Sequence, residues 1–454
     1  MSTYLKIVSC LLRVSLLGIS VVAMWPPKSV QAQTAEYYGL GFIDLNNPHS
    51  YAYGVSADGA LVTGTSYHDG GRGEAFIWTR SDGLIGLRRI ESRGAAVAGN
   101  GAVIVGGAYP PNEGYRWTQG EGFQLLGDLP GNQHASDSWA TNWDGSVIVG
   151  WSSSDRSRNY EAFLWTAETG MIGLGDMEGG NFYSYASDVS ADGRIVVGEG
   201  RSYLGDEAFV WTQETGFVGL GVPPTWSMTE AHGIAPDGSV IVGFGEVTGI
   251  GFEAFRRTEA EGIVPLGVLD ESPFDYHSEA HDASVSGWVI VGWSKFDRWR
   301  FATTWTPRRG LINLNEILTN EFGVDLGDHQ LSQASAVSYD GKTIVGWGGH
   351  KDYSAVEAFL VRIPCIDDCD RCSFRERMTG RCKPQGDGTV KVVAKLSGGR
   401  VGATLTFCLD YYKAFAEATV NEDGRAKARF KRLPPGPHHL TLKECDAPAE
   451  VTCE

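Results

Sequence analysis

A glutamate opens the same short segment at five places in the sequence. The segment reads Glu-Ala-Phe, in most copies followed by an apolar residue, Trp and Thr, and its glutamates are Glu74, Glu161, Glu207, Glu253 and Glu357. A ring of carboxylates has the chemistry of a metal site, but the alternating oxygen ligands of a calcium loop are absent around them. We therefore expect these glutamates to hydrogen-bond to neighbouring loops, and we predict no metal and no cofactor.

Sequence signatures of catalysis are missing. The chain contains no Gly-x-Ser-x-Gly, no His-Glu-x-x-His and no phosphate-binding glycine loop, and its 10 histidines are scattered. A hydrolase or lyase acting on a polysaccharide would need two carboxylates that face one pocket. The sequence singles out no such pair, so we assign no catalytic residue and keep a polysaccharide-acting enzyme as an alternative.

Aromatic side chains are concentrated in variable segments between the repeated motifs. Tyr and Trp offer a broad contact area with one polar tip, which suits sugar rings and protein surfaces. An alternative role for these rings is to cover the underlying strands from solvent. The candidate ligand-binding residues are Tyr109, Trp139, Tyr183, Trp226, Tyr276, Trp299 and Tyr353.

After the first 32 residues, cysteines occur only in the C-terminal part of the chain. Seven of the eight follow Pro364, and they are Cys365, Cys369, Cys372, Cys382, Cys408, Cys445 and Cys453. In an exported protein such a cluster favours disulfides, whereas in a cytosolic protein it would favour zinc. We take all seven as disulfide candidates. Because seven is an odd number, at least one of them cannot form a disulfide within the chain.

The motifs recur in the same order about every 45 residues. Each copy therefore corresponds to one structural unit that positions its motifs. A turn glycine, usually preceded by Asp, comes between two apolar runs, and the second run ends in Val-Gly; the Glu-Ala-Phe segment and Gly-x-x-x-Leu-Gly follow. The turn glycines lie 42 to 54 residues apart, at Gly59, Gly101, Gly145, Gly193, Gly238, Gly287 and Gly341. Each copy predicts four short strands, which is the content of one propeller blade.

The two ends of the repeat region complement each other. The seventh copy lacks its Gly-x-x-x-Leu strand, and residues 41–45 supply one at the N-terminus. A strand from the N-terminus would complete the last blade and leave no open edge. We predict an all-β, seven-bladed β-propeller over residues 33–364, with an open β-solenoid as the alternative.

The repeat resembles the HAF family of probable extracellular repeats, whose unit carries His-Ala-Phe-Leu-Trp-Thr followed by Gly-x-x-x-Leu-Gly. In this sequence Glu replaces the first His, while Ala-Phe-x-Trp-Thr is kept at Glu74, Glu161 and Glu207. The resemblance covers about residues 37–364. It implies export and a propeller-like fold, and it implies no activity and no site.

The remaining segments flank the propeller. Residues 1–32 have a basic start, an apolar stretch and a small-residue cleavage site, which together predict a secretory signal peptide and no transmembrane span. Residues 365–386 form a cysteine-rich linker, and the alternating residues 387–454 predict a small β-sandwich. Residues 423–442 are similar to transthyretin-like or carboxypeptidase-regulatory-like modules, which implies a spacer or a unit for surface attachment.

Composition limits the function. The formal net charge of −17 argues against a nucleic-acid partner, and 60 glycines among 454 residues indicate many tight turns. Long variable loops on one face of a propeller are where ligands usually bind. The sequence predicts a secreted or cell-surface, non-enzymatic binding or adhesion protein, whose partner is a carbohydrate or an extracellular protein. A structural surface-layer protein is a further alternative.

Overall fold

The computed structural model divides the chain into Met1–Gln33 and Thr34–Glu454. The predicted signal peptide, residues 1–32, lies outside the described residues. The structure describes residues 34–131, 134–156, 160–272, 276–350, 355–364, 377–384, 390–397, 404–409, 414–419, 421–423, 425–433, 436–442 and 449–453.

Within the described residues up to 364, the chain forms seven four-stranded antiparallel sheets. Strand order within each sheet follows chain order, except in the last sheet, where the first strand of the chain is the outermost strand. Regularly repeated sheets of this kind are the blades of a propeller. The prediction of an all-β, seven-bladed β-propeller is therefore confirmed.

Each blade runs from an innermost strand at the axis to an outermost strand. In this order, blade 1 consists of β2 (Ser50–Val55), β3 (Leu61–Tyr67), β4 (Gly73–Thr79) and β5 (Gly83–Ile90); blade 2 of β6 (Ser92–Val97), β7 (Ile104–Ala108), β8 (Glu113–Thr118) and β9 (Gly122–Leu125); blade 3 of β10 (Ser136–Thr141), β11 (Val147–Ser152), β12 (Glu161–Thr166) and β13 (Gly170–Gly175); blade 4 of β14 (Gly179–Val189), β15 (Val196–Ser202), β16 (Gly205–Thr212) and β17 (Gly216–Gly219). Blade 5 consists of β18 (Trp226–Ile234), β19 (Ile241–Val247), β20 (Gly251–Thr258) and β21 (Gly262–Gly267); blade 6 of β22 (Ser278–Ala283), β23 (Ile290–Phe296), β24 (Trp299–Thr306) and β25 (Gly310–Asn313); blade 7 of β26 (His329–Val337), β27 (Thr343–His350), β28 (Val356–Arg362) and β1 (Glu36–Gly39). Short helical turns lie at Val285–Gly287 (3-10), Leu314–Glu316 (α) and Ile317–Glu321 (π).

The N-terminal strand of blade 7 lies upstream of the segment predicted from the sequence. We predicted residues 41–45, but the strand is Glu36–Gly39, which pairs with β28 from Glu36 opposite Arg362 to Gly39 opposite Phe359. Gly41 follows this strand with a positive φ of 81°. The outer edge of β28 is therefore paired with a strand from the opposite end of the propeller region.

The Glu-Ala-Phe segment forms the third strand of its blade and serves two structural purposes. The phenylalanines are fully buried between neighbouring sheets, as Phe163 is among Val105, Ile148 and Trp165. The glutamates turn toward the outermost strand, and Glu207 accepts a 2.7 Å hydrogen bond from the backbone N–H of Gly221. Gly221 lies in the loop that follows the outermost strand of the same blade, so Glu207 makes the expected hydrogen bond to a neighbouring loop.

C-terminal to the propeller, the described residues form two sheets. The strands are β29 (Arg377–Pro384), β30 (Val390–Ser397), β31 (Thr404–Leu409), β32 (Ala414–Thr419), β33 (Arg425–Leu433), β34 (Gly436–Leu442) and β35 (Ala449–Cys453). Their order is β29-β30-β33 in one sheet and β32-β31-β34-β35 in the other. The β-sandwich and the cysteine-rich linker stay predictions.

The disulfide candidates also stay predictions. Cys382, Cys408 and Cys453 lie in described strands, but their side chains are outside the described part of the structure, as are Cys365, Cys369, Cys372 and Cys445. Among the residues that the structure describes, no helix has the length and apolar character needed to cross a membrane.

Candidate functional site

A β-bulge interrupts the innermost strand of each blade at the same position. In β18, for example, the register moves from Ala231 to Gly233 and leaves His232 without an opposing residue. A bulge aims its extra side chain away from the regular ladder. The bulged residues are Tyr53, Ala95, Trp139, Ser187, His232, His281 and Ser335.

These residues, which we call the bulge ring, surround the propeller axis. All of them line one cavity of about 320 Å³ between the innermost strands. Each strand also carries a side chain two positions before its bulge, which is Arg93 in blade 2, Asp137 in blade 3, Glu230 in blade 5 and Glu279 in blade 6. The bulges thus bring side chains from all seven blades to one cavity, and two of these side chains are histidines.

Two histidines of the bulge ring lie side by side with a carboxylate. His232 and His281 come from neighbouring blades, and their rings stack with centroids 5.0 Å apart and an interplanar angle of 26°. Glu279 Oε2 lies 3.6 Å from His281 Nε2, and one ligand atom from each of the three residues falls within 4.8 Å of the others. We call His232, Glu279 and His281 the axial triad.

Residues outside the axial triad hold the carboxylate of Glu279 in place. Its Oε2 accepts a 3.0 Å hydrogen bond from Trp293 Nε1, and its Oε1 lies 3.0 Å from His277 Nε2. Arg300 stacks on the same indole with its Cζ 3.5 Å from the ring centroid. This packing fixes the orientation of Glu279, as is common for carboxylates that bind metal ions.

The axial triad is set up as an ionised carboxylate beside a neutral imidazole. Burial opposes ionisation of Glu279, but the hydrogen bond from His277 and the electrostatic influence of the His281 and His232 rings lower its pKa to about 2. Burial and the neighbouring His232 lower the pKa of His281 to about 3. Within the described residues, His281 Nε2 and His232 Nδ1 are buried and have no hydrogen-bond partner.

A second acidic group, Glu199, lies in β15 of blade 4. Burial and the charge of Glu230 raise the pKa of Glu199 to about 8, so this carboxyl holds a proton at neutral pH. Glu199 hydrogen-bonds to Tyr185, whose pKa is raised by burial and by the charge of Glu199. Tyr185 packs on Trp139 with ring centroids 5.3 Å apart, which connects this proton-bearing pair to the bulge ring.

Two half-buried aspartates, Asp188 and Asp282, follow the bulges of blades 4 and 6. Asp188 accepts a 2.9 Å hydrogen bond from the backbone N–H of Ile234 in blade 5, and Asp282 accepts one of the same length from Val337 in blade 7. Burial and the charge of Asp282 raise the pKa of Asp188 to about 8, and burial raises the pKa of Asp282 to about 6. These carboxylates join neighbouring blades at the axis.

Of the predicted ligand-binding residues, Trp139 and Tyr183 both contact Tyr185. Trp139 is in the bulge ring, and the Tyr183 hydroxyl donates a 2.8 Å hydrogen bond to the Tyr185 hydroxyl. Trp226 is a core residue, 7% exposed and packed on Phe255.

The others belong to separate blades. Tyr109 donates a 2.9 Å hydrogen bond to Asp137, Tyr276 donates one of the same length to Glu253, and Trp299 is 47% exposed at the end of a hairpin. Tyr353 lies outside the described residues.

The axial triad was not among the predicted site residues, although the repeat contains a signal for it. Glu-Ala-His occurs as Glu230–His232 and again as Glu279–His281, at the same position of two successive copies. Aligning the innermost strands would have placed both histidines on the axis. The prediction of no metal site considered the Glu-Ala-Phe glutamates, which belong to a different strand.

Known proteins resemble this chain in their fold. No family model matches it, and no curated protein matches it. Solved structures with a similar fold include the β-propeller domain of the Trilobed protease from Pyrococcus furiosus, at 11% identity and a TM-score of 0.46, covering 69% of this chain and 93% of that one. A puromycin hydrolase mutant gives 14% identity and a TM-score of 0.47, covering 77% of this chain and 58% of that one.

TolB from Acinetobacter baumannii is also similar, at 11% identity and a TM-score of 0.41, covering 68% of this chain and 64% of that one. The chain thus spans less than two thirds of the TolB and puromycin hydrolase structures. These likenesses show the propeller fold alone.

The predicted function needs correction. We expected a non-enzymatic adhesion protein that binds carbohydrate or protein on its long-loop face, and this prediction is wrong. The similar folds are propellers of peptidases and TolB-like proteins at low sequence identity, and they give the propeller fold only. Within the described part of the chain, His232, His281 and Trp139 each have a buried polar atom without a hydrogen-bond partner, and all three residues line the axial cavity.

Proposed function

We propose that the protein is a metalloprotein that binds a divalent transition-metal ion on the propeller axis through His232, Glu279 and His281. The observation that supports it is the convergence of two imidazoles from neighbouring bulges and one oriented carboxylate within 4.8 Å. Two imidazoles and a carboxylate are ligands of zinc and related ions rather than of calcium or magnesium.

The ligand arrangement favours an ion with an open position. Three protein ligands leave at least one coordination position for water, and an ion so bound makes that water a nucleophile near neutral pH. His232 and His281 both line the axial cavity, so this position would face the cavity. The reaction class that the site supports is hydrolysis by metal-bound water.

Metal binding is tested on the full chain after removal of metal with a chelator. Zn²⁺ affinity is measured by calorimetry for the wild type, His281→Ala and the control His134→Ala, whose histidine is exposed on a loop. We expect His281→Ala to weaken Zn²⁺ binding by more than about 100-fold, because it removes a direct ligand. Unchanged affinity in His281→Ala would overturn the proposal.

The open position is tested by replacing Zn²⁺ with Co²⁺ and recording the visible absorption spectrum. Addition of azide should change the spectrum of the wild type, because azide takes the position of the bound water. A Co²⁺ spectrum that azide leaves unchanged would show a closed, structural site and would rule out metal-activated water.

A further inference from the structure

A second group of metal-binding residue types lies in blade 7. His329 is the first residue of β26, His350 is the last residue of β27, and Glu357 is the second residue of β28. One ligand atom from each lies within 4.8 Å of the others. The strand pairing accounts for this, since His329 is directly opposite His350.

His329 is the most buried member of the group, at 4% exposure. Its Nδ1 contacts the hydroxyl of Tyr37, while its buried Nε2 lies beside the backbone of Gly348 without a well-aligned hydrogen bond in the described residues. Its ring lies 5.1 Å from that of His350 at an angle of 31°. A buried nitrogen without a partner costs free energy, and a metal ion bound to it removes that cost.

Blade 1 provides an internal comparison. His68 Nε2 lies 2.6 Å from Glu74 Oε2, just as His350 Nε2 lies 3.2 Å from Glu357 Oε2. Among the residues that the structure describes, no third His, Cys, Asp or Glu completes a metal-binding group with His68 and Glu74. The His–Glu pair alone is thus an ordinary hydrogen bond of the blade, and His329 is what distinguishes blade 7.

The group lies where the two ends of the propeller region meet. Glu357 Oε1 accepts a 2.9 Å hydrogen bond from the backbone N–H of Gly41, and Tyr37 of β1 contacts His329. An ion held by the three side chains would connect β26, β27 and β28 and would fix the groups that hold the N-terminal segment. A constraint at this place opposes separation of β1 from the ring.

We propose that His329, His350 and Glu357 bind a second divalent transition-metal ion, which stabilises closure of the propeller by the N-terminal strand. Two imidazole nitrogens and one carboxylate oxygen again fit Zn²⁺ or a similar ion. This ion has a structural purpose and is independent of the axial ion.

The two sites are separated by counting ions in the full chain. We expect two Zn²⁺ per wild-type chain, one in His281→Ala and one in His350→Ala, measured by elemental analysis after dialysis. The matched control His68→Ala removes the equivalent imidazole of blade 1 and should retain two. One ion in the wild type that is lost in His281→Ala and kept in His350→Ala would overturn the second site while leaving the axial site intact.

The structural effect is tested by hydrogen exchange in the His281→Ala background, where the axial ion is absent. Zn²⁺ should slow amide exchange in Glu36–Gly39 by at least about tenfold, because a bound ion stabilises the closed state by mass action. His350→Ala, whose imidazole is partly exposed, should abolish this effect, whereas His68→Ala should preserve it. Equal protection of β1 by Zn²⁺ in the His350→Ala variant would overturn the proposal.

Discussion

Glu357 accepts a hydrogen bond from the backbone N–H of Gly41 across 316 positions of sequence. The same bond occurs within other blades, from Gly221 to Glu207 at 2.7 Å and from Arg88 to Glu74 at 2.6 Å. The propeller therefore closes with the same interaction that blades 1 and 4 use within their own sheets. Blade 7 thus uses an interaction already present in other blades, and it differs from them in that its outermost strand comes from the N-terminal end of the propeller region.

The glutamate of this repeated bond should be important for stability. Glu207→Ala leaves the N–H of Gly221 without its acceptor, and Glu207 itself is 4% exposed. We expect a loss of about 1–3 kcal/mol in the free energy of unfolding, measured with urea. The control Glu214→Ala, in an exposed turn of the same blade, should change it by less than about 0.5 kcal/mol. Equal effects of the two variants would show that the bond does not stabilise the blade.

Gly219, against which the carboxylate of Glu207 packs, should be equally restricted. A Cβ at Gly219 would clash with the carboxylate of Glu207, so Gly219→Ala should destabilise by about 1–3 kcal/mol. Gly120→Ala, at a position open to solvent, is the control. In the Glu207→Ala background the cost of Gly219→Ala should fall, because the clashing group is gone. Strictly additive costs in a double-mutant cycle would contradict this explanation of the repeated glycine.

The period of the sequence was sufficient to predict the blades, but it could not set the closing strand. Four strands recur per copy, and this pattern predicts seven blades with an N-terminal strand in the last one. The choice of Glu36–Gly39 over residues 41–45 depends on pairing with β28, which is a contact between distant parts of the chain. Local strand propensity does not distinguish two adjacent apolar segments of similar length.

The axial triad shows a second limit of predicting the site from the sequence. Some of the aromatic residues chosen from the variable segments lie in the core, as Trp226 does. The position of an aromatic residue in a variable segment does not tell whether its side chain is buried. His232 and His281 were overlooked because no short motif contains both. Their proximity follows from a bulge repeated in neighbouring blades, which becomes visible only when copies are aligned strand by strand.

The residues behind the axial triad should tune its affinity for metal. Trp293→Phe keeps an aromatic ring against Arg300 but removes the 3.0 Å hydrogen bond to Glu279. We expect Zn²⁺ affinity at the axial site to fall about 10–100-fold, measured by calorimetry in the His350→Ala background. Trp299→Phe, on the exposed hairpin of the same blade, is the control. Unchanged affinity in Trp293→Phe would mean that the indole does not orient the carboxylate.

An ion pair between the half-buried Arg93 and the buried Asp137 joins blades 2 and 3. Arg93 Nη2 lies 2.8 Å from Asp137 Oδ2, and the hydroxyl of Tyr109 donates to the same oxygen at 2.9 Å. Asp137→Ala should destabilise by about 1–3 kcal/mol, because it leaves the half-buried guanidinium without its counter-charge and the Tyr109 hydroxyl without its acceptor. The double variant Arg93→Met/Asp137→Leu should be more stable than Asp137→Ala in urea unfolding. A double variant less stable than Asp137→Ala would assign the cost to lost packing instead of to the unpaired charge.

The aspartates at the axis should make stability depend on pH. The pKa of Asp188 is raised to about 8, well above that of an aspartate in the unfolded chain. Between about pH 4 and pH 8 the folded protein then binds more protons than the unfolded chain, so the free energy of unfolding falls as the pH rises. Asp188→Asn cannot ionise, so its free energy of unfolding should fall less than that of the wild type between about pH 5 and pH 8.

Urea unfolding of both proteins across this range measures the difference in slope, which is independent of any constant loss of stability caused by the amide. The control Asp82→Asn, in an exposed turn, should keep the wild-type slope. A wild-type slope in Asp188→Asn would mean that Asp188 is already ionised in the folded protein. In that case its two hydrogen bonds, from Val189 and from Ile234 of the next blade, outweigh its burial and the charge of Asp282.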